Sequence, residues 1–157
     1  MRRRWVGYSL AGLVAGLGFS WSLSREELNA PAERDLDAVD RGRLVYIAEG
    51  CIHCHSQYVR PEGVGRDAEL WGPPTSPERA LEQRPVLIGN RRQGPDLANV
   101  GMRRPKEWNR LHLINPGRLV PGSRMPSFAH LFDSGNEDRG ETLLAYLDSL
   151  KPPEGIR

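Results

Sequence analysis

Apolar residues recur at helical intervals in three stretches of the chain, and each stretch carries its own start and stop signals. Asp37 is placed to cap a helix running to about Glu49, with Asp40 in its first turn, apolar Val39, Leu44 and Ile47, and Gly50 as its stop. A second helix opens with Pro105 at its first position, presents Trp108 and Leu111 on one face and ends before Pro116. A third opens with the capping-box spacing of Ser134 to Glu137, shows Leu143, Leu147 and Leu150 at helical intervals and stops at Pro152-Pro153. Between the first two helices lies a stretch from Gln57 to Gln93 with five prolines and only a short helix-like piece around Arg79 to Gln83. Unstructured stretches of that length are uncommon unless functional, so it is expected to wrap a cofactor or a partner. No period-2 alternation sustains a sheet and no internal repeat is present. The expected fold class is mainly α, a single small domain.

The first 36 residues follow a different pattern. Trp5 to Ser24 contains no charged residue, is preceded by Arg2, Arg3 and Arg4 and is followed by Arg25, Glu26 and Glu27. About 20 apolar residues suffice to cross a bilayer core. Trp5 and Tyr8 at one end and Phe19 and Trp21 at the other form interfacial belts, and no clear A-x-A cleavage site is present, which favours an anchor over a cleaved signal peptide. Gly12 and Gly16 form a G-x-x-x-G step suited to packing against another transmembrane helix. The organisation read from the sequence is an anchor over 1–24, a charged linker over 25–36 and a domain over 37–157. The arginines stay cytoplasmic and the remainder is exported.

Composition narrows the function. The 157 residues carry a net charge of +2, and three of the positive charges are Arg2 to Arg4, so the domain itself is close to neutral and offers no footprint for nucleic acid. With 17 Gly, 13 Pro and only 7% aromatic residues, the apolar core is small and something other than side chains is expected to complete it. The 2 cysteines sit together, so no long-range disulfide framework is possible.

Those cysteines form Cys51-Ile52-His53-Cys54-His55, which contains C-x-x-C-H, the attachment signature of c-type haem. Thiols three residues apart lie on one side of a helical turn, within reach of the two vinyl groups of one porphyrin. The next imidazole, His55, is then carried under the ring as an iron ligand. The reading is haem c, one per chain and covalently attached. A zinc site would need two of His53, His55, His112 and His130 beside the cysteines, and no second paired motif closes it. A redox dithiol would need a βαβ setting that this sequence lacks. For the sixth ligand, methionine suits electron transfer at raised potential. Met102 and Met125 are the candidates, Met125 held in a loop between Pro121 and Pro126, with His112 as a bis-histidine competitor.

Three segments carry a resemblance: CIHCHSQYVRP over 51–61, RQGPDLANVG over 92–101, and Asn115-Pro116 through Met125-Pro126. Together, from about Gly42 to Phe132, they resemble the membrane-anchored mono-haem subunit (subunit II) of cbb3-type cytochrome c oxidases. The resemblance implies a cytochrome c fold with His55 and Met125 as axial ligands and the Pro95 carbonyl accepting the His55 ring N–H. It also implies Arg92 and Trp108 at the haem propionates, Gly42 and Tyr46 at a close crossing of the first and last helices, and Arg60 at a propionate or an interface. It makes the chain an electron-transfer subunit without catalytic chemistry of its own, whose partners are a haem-copper oxidase catalytic subunit and another c-type cytochrome. The implied location is the bacterial cytoplasmic membrane, single-pass, with the haem domain periplasmic. The haem subunit of a nitric oxide reductase and a free membrane-tethered shuttle share this plan. The stretch Glu62–Asn90 departs from the family, and Met102 stands where a small residue is expected.

Overall fold

A computed structural model describes residues 36–153. Seven α-helices and two 3₁₀ turns are found among them, and no strand, in agreement with the mainly helical expectation. No helix among the described residues is long and apolar enough to cross a membrane, and the anchor segment Trp5–Ser24 lies outside them.

The frame is the crossing of the first helix, α1 (Ala38–Ala48), with the last, α7 (Glu137–Ser149). Asp37 caps α1 as its position suggests, its carboxylate accepting the Asp40 N–H at 2.8 Å. The buried face of α1 is Gly42, Val45 and Tyr46, with Val39 and Ile47 packed at its edge as their spacing suggests, while Leu44 is 40% exposed. The reason is the crossing itself. A Cβ on Gly42 would sit 2.8 Å from the Tyr146 Cβ and closer still to the Thr142 backbone, so only glycine lets the two helices approach this far. Beside it the Tyr46 and Tyr146 rings meet edge-on, centroids 5.6 Å apart. On α7, Leu143, Leu144 and Leu147 are buried, each contributing about 2 kcal/mol by area burial. Its start differs from the capping box: Asn136 is the flanking residue, and the Glu137 carboxylate turns back to accept the Gly135 N–H at 2.7 Å.

Between these helices the chain forms α2 (Asp67–Trp71), α3 (Pro77–Glu82), α4 (Val100–Arg103), α5 (Lys106–Ile114) and α6 (Pro116–Leu119). Pro105 flanks α5 from outside rather than opening it, in extended conformation. Leu111 on α5 is 52% exposed, and the buried side is Asn109 and Leu113. α2, α4 and α6 are too short to show a period, and none was legible in the sequence.

The long segment from Gln57 to Gln93 is tied down at several points. The Asp67 carboxylate, 5% exposed, accepts from Arg60 Nη2 at 2.6 Å and from Arg92 Nη1 at 2.6 Å. The Arg60 guanidinium, with Arg92 adding to it, holds the Asp67 carboxyl down at about 2. The Val59 amide donates to Thr75 Oγ1 and the Thr75 amide returns to the Val59 carbonyl. Asn99 Nδ2 spans the carbonyls of Trp71 and Pro73. These bonds compensate for the scarcity of apolar side chains in a segment that has no regular ladder of its own.

Candidate functional site

The C-x-x-C-H stretch begins where α1 ends. Gly50 takes a left-handed conformation (φ 69°), and Cys51–His53 form a single 3₁₀ turn closed by the Cys54 N–H donating to the Cys51 carbonyl at 3.2 Å, with the His55 N–H donating to the same carbonyl at 2.9 Å. That turn brings Cys51, Cys54 and His55 to the wall of one cavity of about 660 Å³, a size suited to a cofactor.

Two backbone strips press on the turn from outside. On one side the Gln57 amide donates to the Leu87 carbonyl at 2.8 Å, and Gly89 lies so close that a Cβ there would meet the His55 carbonyl oxygen at 2.7 Å. On the other, the Gly94 amide donates to the Cys54 carbonyl and the Leu97 amide to the Ser56 carbonyl. The His55 ring rests against Gly94, where a Cβ would fall 2.6 Å from Nδ1, and His55 Nδ1 lies 2.8 Å from the Pro95 carbonyl oxygen. An Nδ1–H donating to that carbonyl leaves Nε2 as the free electron pair of a neutral imidazole. Burial lowers the His55 pKa, the bond to Pro95 opposing it in part, so the ring stays neutral and ready to ligate a metal. Burial likewise pushes the Cys51 thiol up to about 12, the opposite of an activated redox cysteine. Among the described residues no group of three or more His, Cys, Asp or Glu side chains is placed to hold a metal ion, so the zinc arrangement does not assemble.

The facing wall comes from α5 and the loop after α6. Met125 lines the cavity, whereas Met102 is 55% exposed and lies away from it. The Met125 loop is fixed at one side by the Ser123 hydroxyl accepting the Met125 N–H at 3.3 Å and at the other by the Phe128 N–H bonding to the Leu113 carbonyl. His112 also reaches the wall, stacked on Trp108 with centroids 4.7 Å apart, and Arg104 covers the other part of the Trp108 ring at 4.6 Å.

Arg92 is placed differently from the expected propionate contact. It does not line the cavity; its guanidinium is engaged by Asp67, by the Tyr58 carbonyl at 2.7 Å and by Ser56 Oγ at 3.3 Å. Arg60 is likewise taken by Asp67. The guanidinium groups on the wall are those of Arg103, Arg104 and Arg124. Trp108, Pro95, His55, Met125 and both cysteines do meet at the cavity. Trp71, Gly94, Arg103 and Asn109 line the cavity and were missed by sequence reasoning. Gly94 had a signal, its place beside Pro95 in the quoted motif; Trp71 and Asn109 had none.

The residues present fit a haem on chemical grounds: two thiols and a neutral imidazole on one turn, a thioether opposite, a largely apolar lining, and a glycine where any side chain would displace the imidazole. No curated protein matches the sequence. The family model described as "Cytochrome C oxidase, mono-heme subunit/FixO" matches residues 35–150, a span that takes in the cysteine turn, the Gly94-Pro95 strip and the Met125 loop. By that match the chain belongs to the FixO family, the mono-haem subunits of cytochrome c oxidase.

Proposed function

We propose that this chain is the electron-transfer subunit of a cbb3-type haem-copper oxidase, receiving electrons from another c-type haem and passing them one at a time to the catalytic subunit. One haem is attached covalently through Cys51 and Cys54, with His55 and Met125 as axial ligands. The segment Trp5–Ser24 anchors the chain in the bacterial cytoplasmic membrane, with the domain on the periplasmic side. The observation that carries this reading is the convergence of Cys51, Cys54, His55 and Met125 on one cavity, in a chain of the mono-haem oxidase-subunit family.

When bound, the haem supplies a reversible one-electron couple. The protein's part is to keep that couple from changing geometry. Pro95 holds the His55 tautomer, Gly94 and Gly89 leave no room for the imidazole or its backbone to shift, and the Met125 loop is bonded at both ends. His55 and Met125 would both hold the iron, and with two protein ligands the group would supply electron transfer rather than oxygen chemistry in this chain.

The test is gentle solubilisation of membranes from cells expressing the full chain, capture through a C-terminal tag, a reduced-minus-oxidised spectrum and mass spectrometry of the captured material. Haem c with haem b and a copper-binding polytopic subunit is the expected result. Haem b with non-haem iron would instead make this a nitric oxide reductase subunit, and haem c alone a tethered shuttle. Removal of Trp5–Ser24 is expected to release the domain from the membrane.

A further inference from the structure

Three of the buried polar atoms left without a hydrogen-bond partner belong to residues that line the cavity: Arg103 Nε, Asn109 Nδ2 and His112 Nδ1. Buried donors are almost always satisfied, and one left unpaired costs as much as a lost hydrogen bond. Asn109 is only 5% exposed, on the inner face of a well-formed helix, so solvent does not satisfy it. Two of the three side chains are also fixed in place. Arg103 stacks over the Trp71 ring at 5.1 Å and donates Nη2 to the Asp96 carbonyl, and His112 is pinned on Trp108. They offer an arginine N–H, a carboxamide NH₂ and a ring nitrogen that donates in its Nδ1–H tautomer. The carboxylate facing the same cavity, Glu49, is already committed to Arg139 at 2.7 Å and His130 at 3.1 Å.

A donor wall of this kind is complementary to an anion that brings its own acceptor oxygens. We propose that Arg103, Asn109 and His112 are the residues that hold the carboxylates of the haem, the task the family resemblance implies for Arg92. The proposal rests on the haem reading above. It divides the arginines by function. Arg92 and Arg60 serve Asp67 and brace the long segment, whereas Arg103 serves the cofactor. It also gives Trp71, in the segment least like the family, a role: its ring holds the guanidinium of Arg103 beside the cavity. Asn109, from the middle of α5, sets the position of the carboxylates relative to the iron ligands on either side.

Removing a donor leaves a haem carboxylate with more uncompensated negative charge, which favours the oxidised iron. The test uses the full-length haem protein in its native membrane, in the variants Asn109→Leu, Asn109→Asp and His112→Phe, with Arg92→Lys for comparison. Covalent haem content comes first: a wild-type chain without a haem c spectrum overturns the haem reading itself, and this proposal with it. With haem present, Asn109→Asp, nearly identical in shape, is expected to lower the midpoint potential by about 59 mV, a tenfold change in the one-electron equilibrium. Asn109→Leu and His112→Phe are expected to move it the same way by less, and all three to shift the carboxylate bands in the redox-difference infrared spectrum of protein carrying ¹³C-labelled haem propionates. Arg92→Lys leaves those bands in place. Unmoved carboxylate bands in Asn109→Asp at full haem content, or bands that move in Arg92→Lys instead, overturn the proposal.

Discussion

The two walls of the cavity are built on different principles. The His55 wall is backbone: a 3₁₀ turn clasped by Gly89 on one side and Gly94 on the other, its ring nitrogen bonded to the Pro95 carbonyl. The Met125 wall is side chain: a loop bonded at its ends, with Trp108 and His112 stacked beside it on α5. Backbone packed to van der Waals contact cannot adjust without moving a helix, whereas side chains on a loop re-orient within their rotamers. The first wall therefore fixes whether the cofactor is held at all, and the second tunes how it behaves.

The most damaging change should be Gly94→Ala. The new methyl group enters the space of the His55 ring, so the bond to Pro95 breaks, and the yield of correctly ligated haem protein by absorption spectroscopy is expected to fall at least about tenfold. Survival of normal ligation there would show that the backbone wall yields as readily as the loop. Next comes Gly42→Ala, which strikes the frame beneath that wall. The added carbon meets the Thr142 backbone, the α1–α7 crossing must open, and the cost is expected to be about 3 kcal/mol in denaturant unfolding.

On the second wall, Met125→Ala is expected to keep the covalent haem but lower the potential by about 120 mV, a hundredfold change, and to open the iron to added ligands. Met102→Ala, on the exposed side of α4, is expected to change neither. An unchanged optical spectrum in Met125→Ala would remove Met125 as a ligand.

The smallest effect belongs to the brace behind the backbone wall. Asp67 titrates at about 2 rather than 3.8 because Arg60, and after it Arg92, bond to the carboxylate. A depressed carboxylate stabilises the fold above its unfolded pKa, and the contribution is lost as pH falls from about 4 toward 2. It amounts to about 1–2 kcal/mol. In urea melts, wild type should lose most of that margin between pH 5 and pH 2.5, and Asp67→Asn should be weaker at pH 5 and lack that part of the acid response.

Much of the site was legible because its chemistry depends on short spacings. Cys51, Cys54 and His55 lie within one turn, and Pro95 and Met125 sit in rigid local wording. The helices were legible as elements but not always as faces: Leu44 and Leu111 were expected inside and are half-exposed, because the buried stripe follows the partner helix rather than the count of apolar residues. Arg92 shows the same limit in electrostatics. Its place in the motif pointed to the cofactor, but Asp67, 25 residues away, claims it.

The sequence by itself determined the attachment turn, the sixth-ligand candidates and the helical class, since each is set by neighbours within a few residues. Tertiary structure decided which methionine lines the cavity, which arginines brace the fold and which line the cavity, and which buried polar atoms are left unpaired. Those outcomes depend on which distant groups share one small volume, where burial leaves each charge and donor to find a partner nearby, and no local pattern encodes that choice.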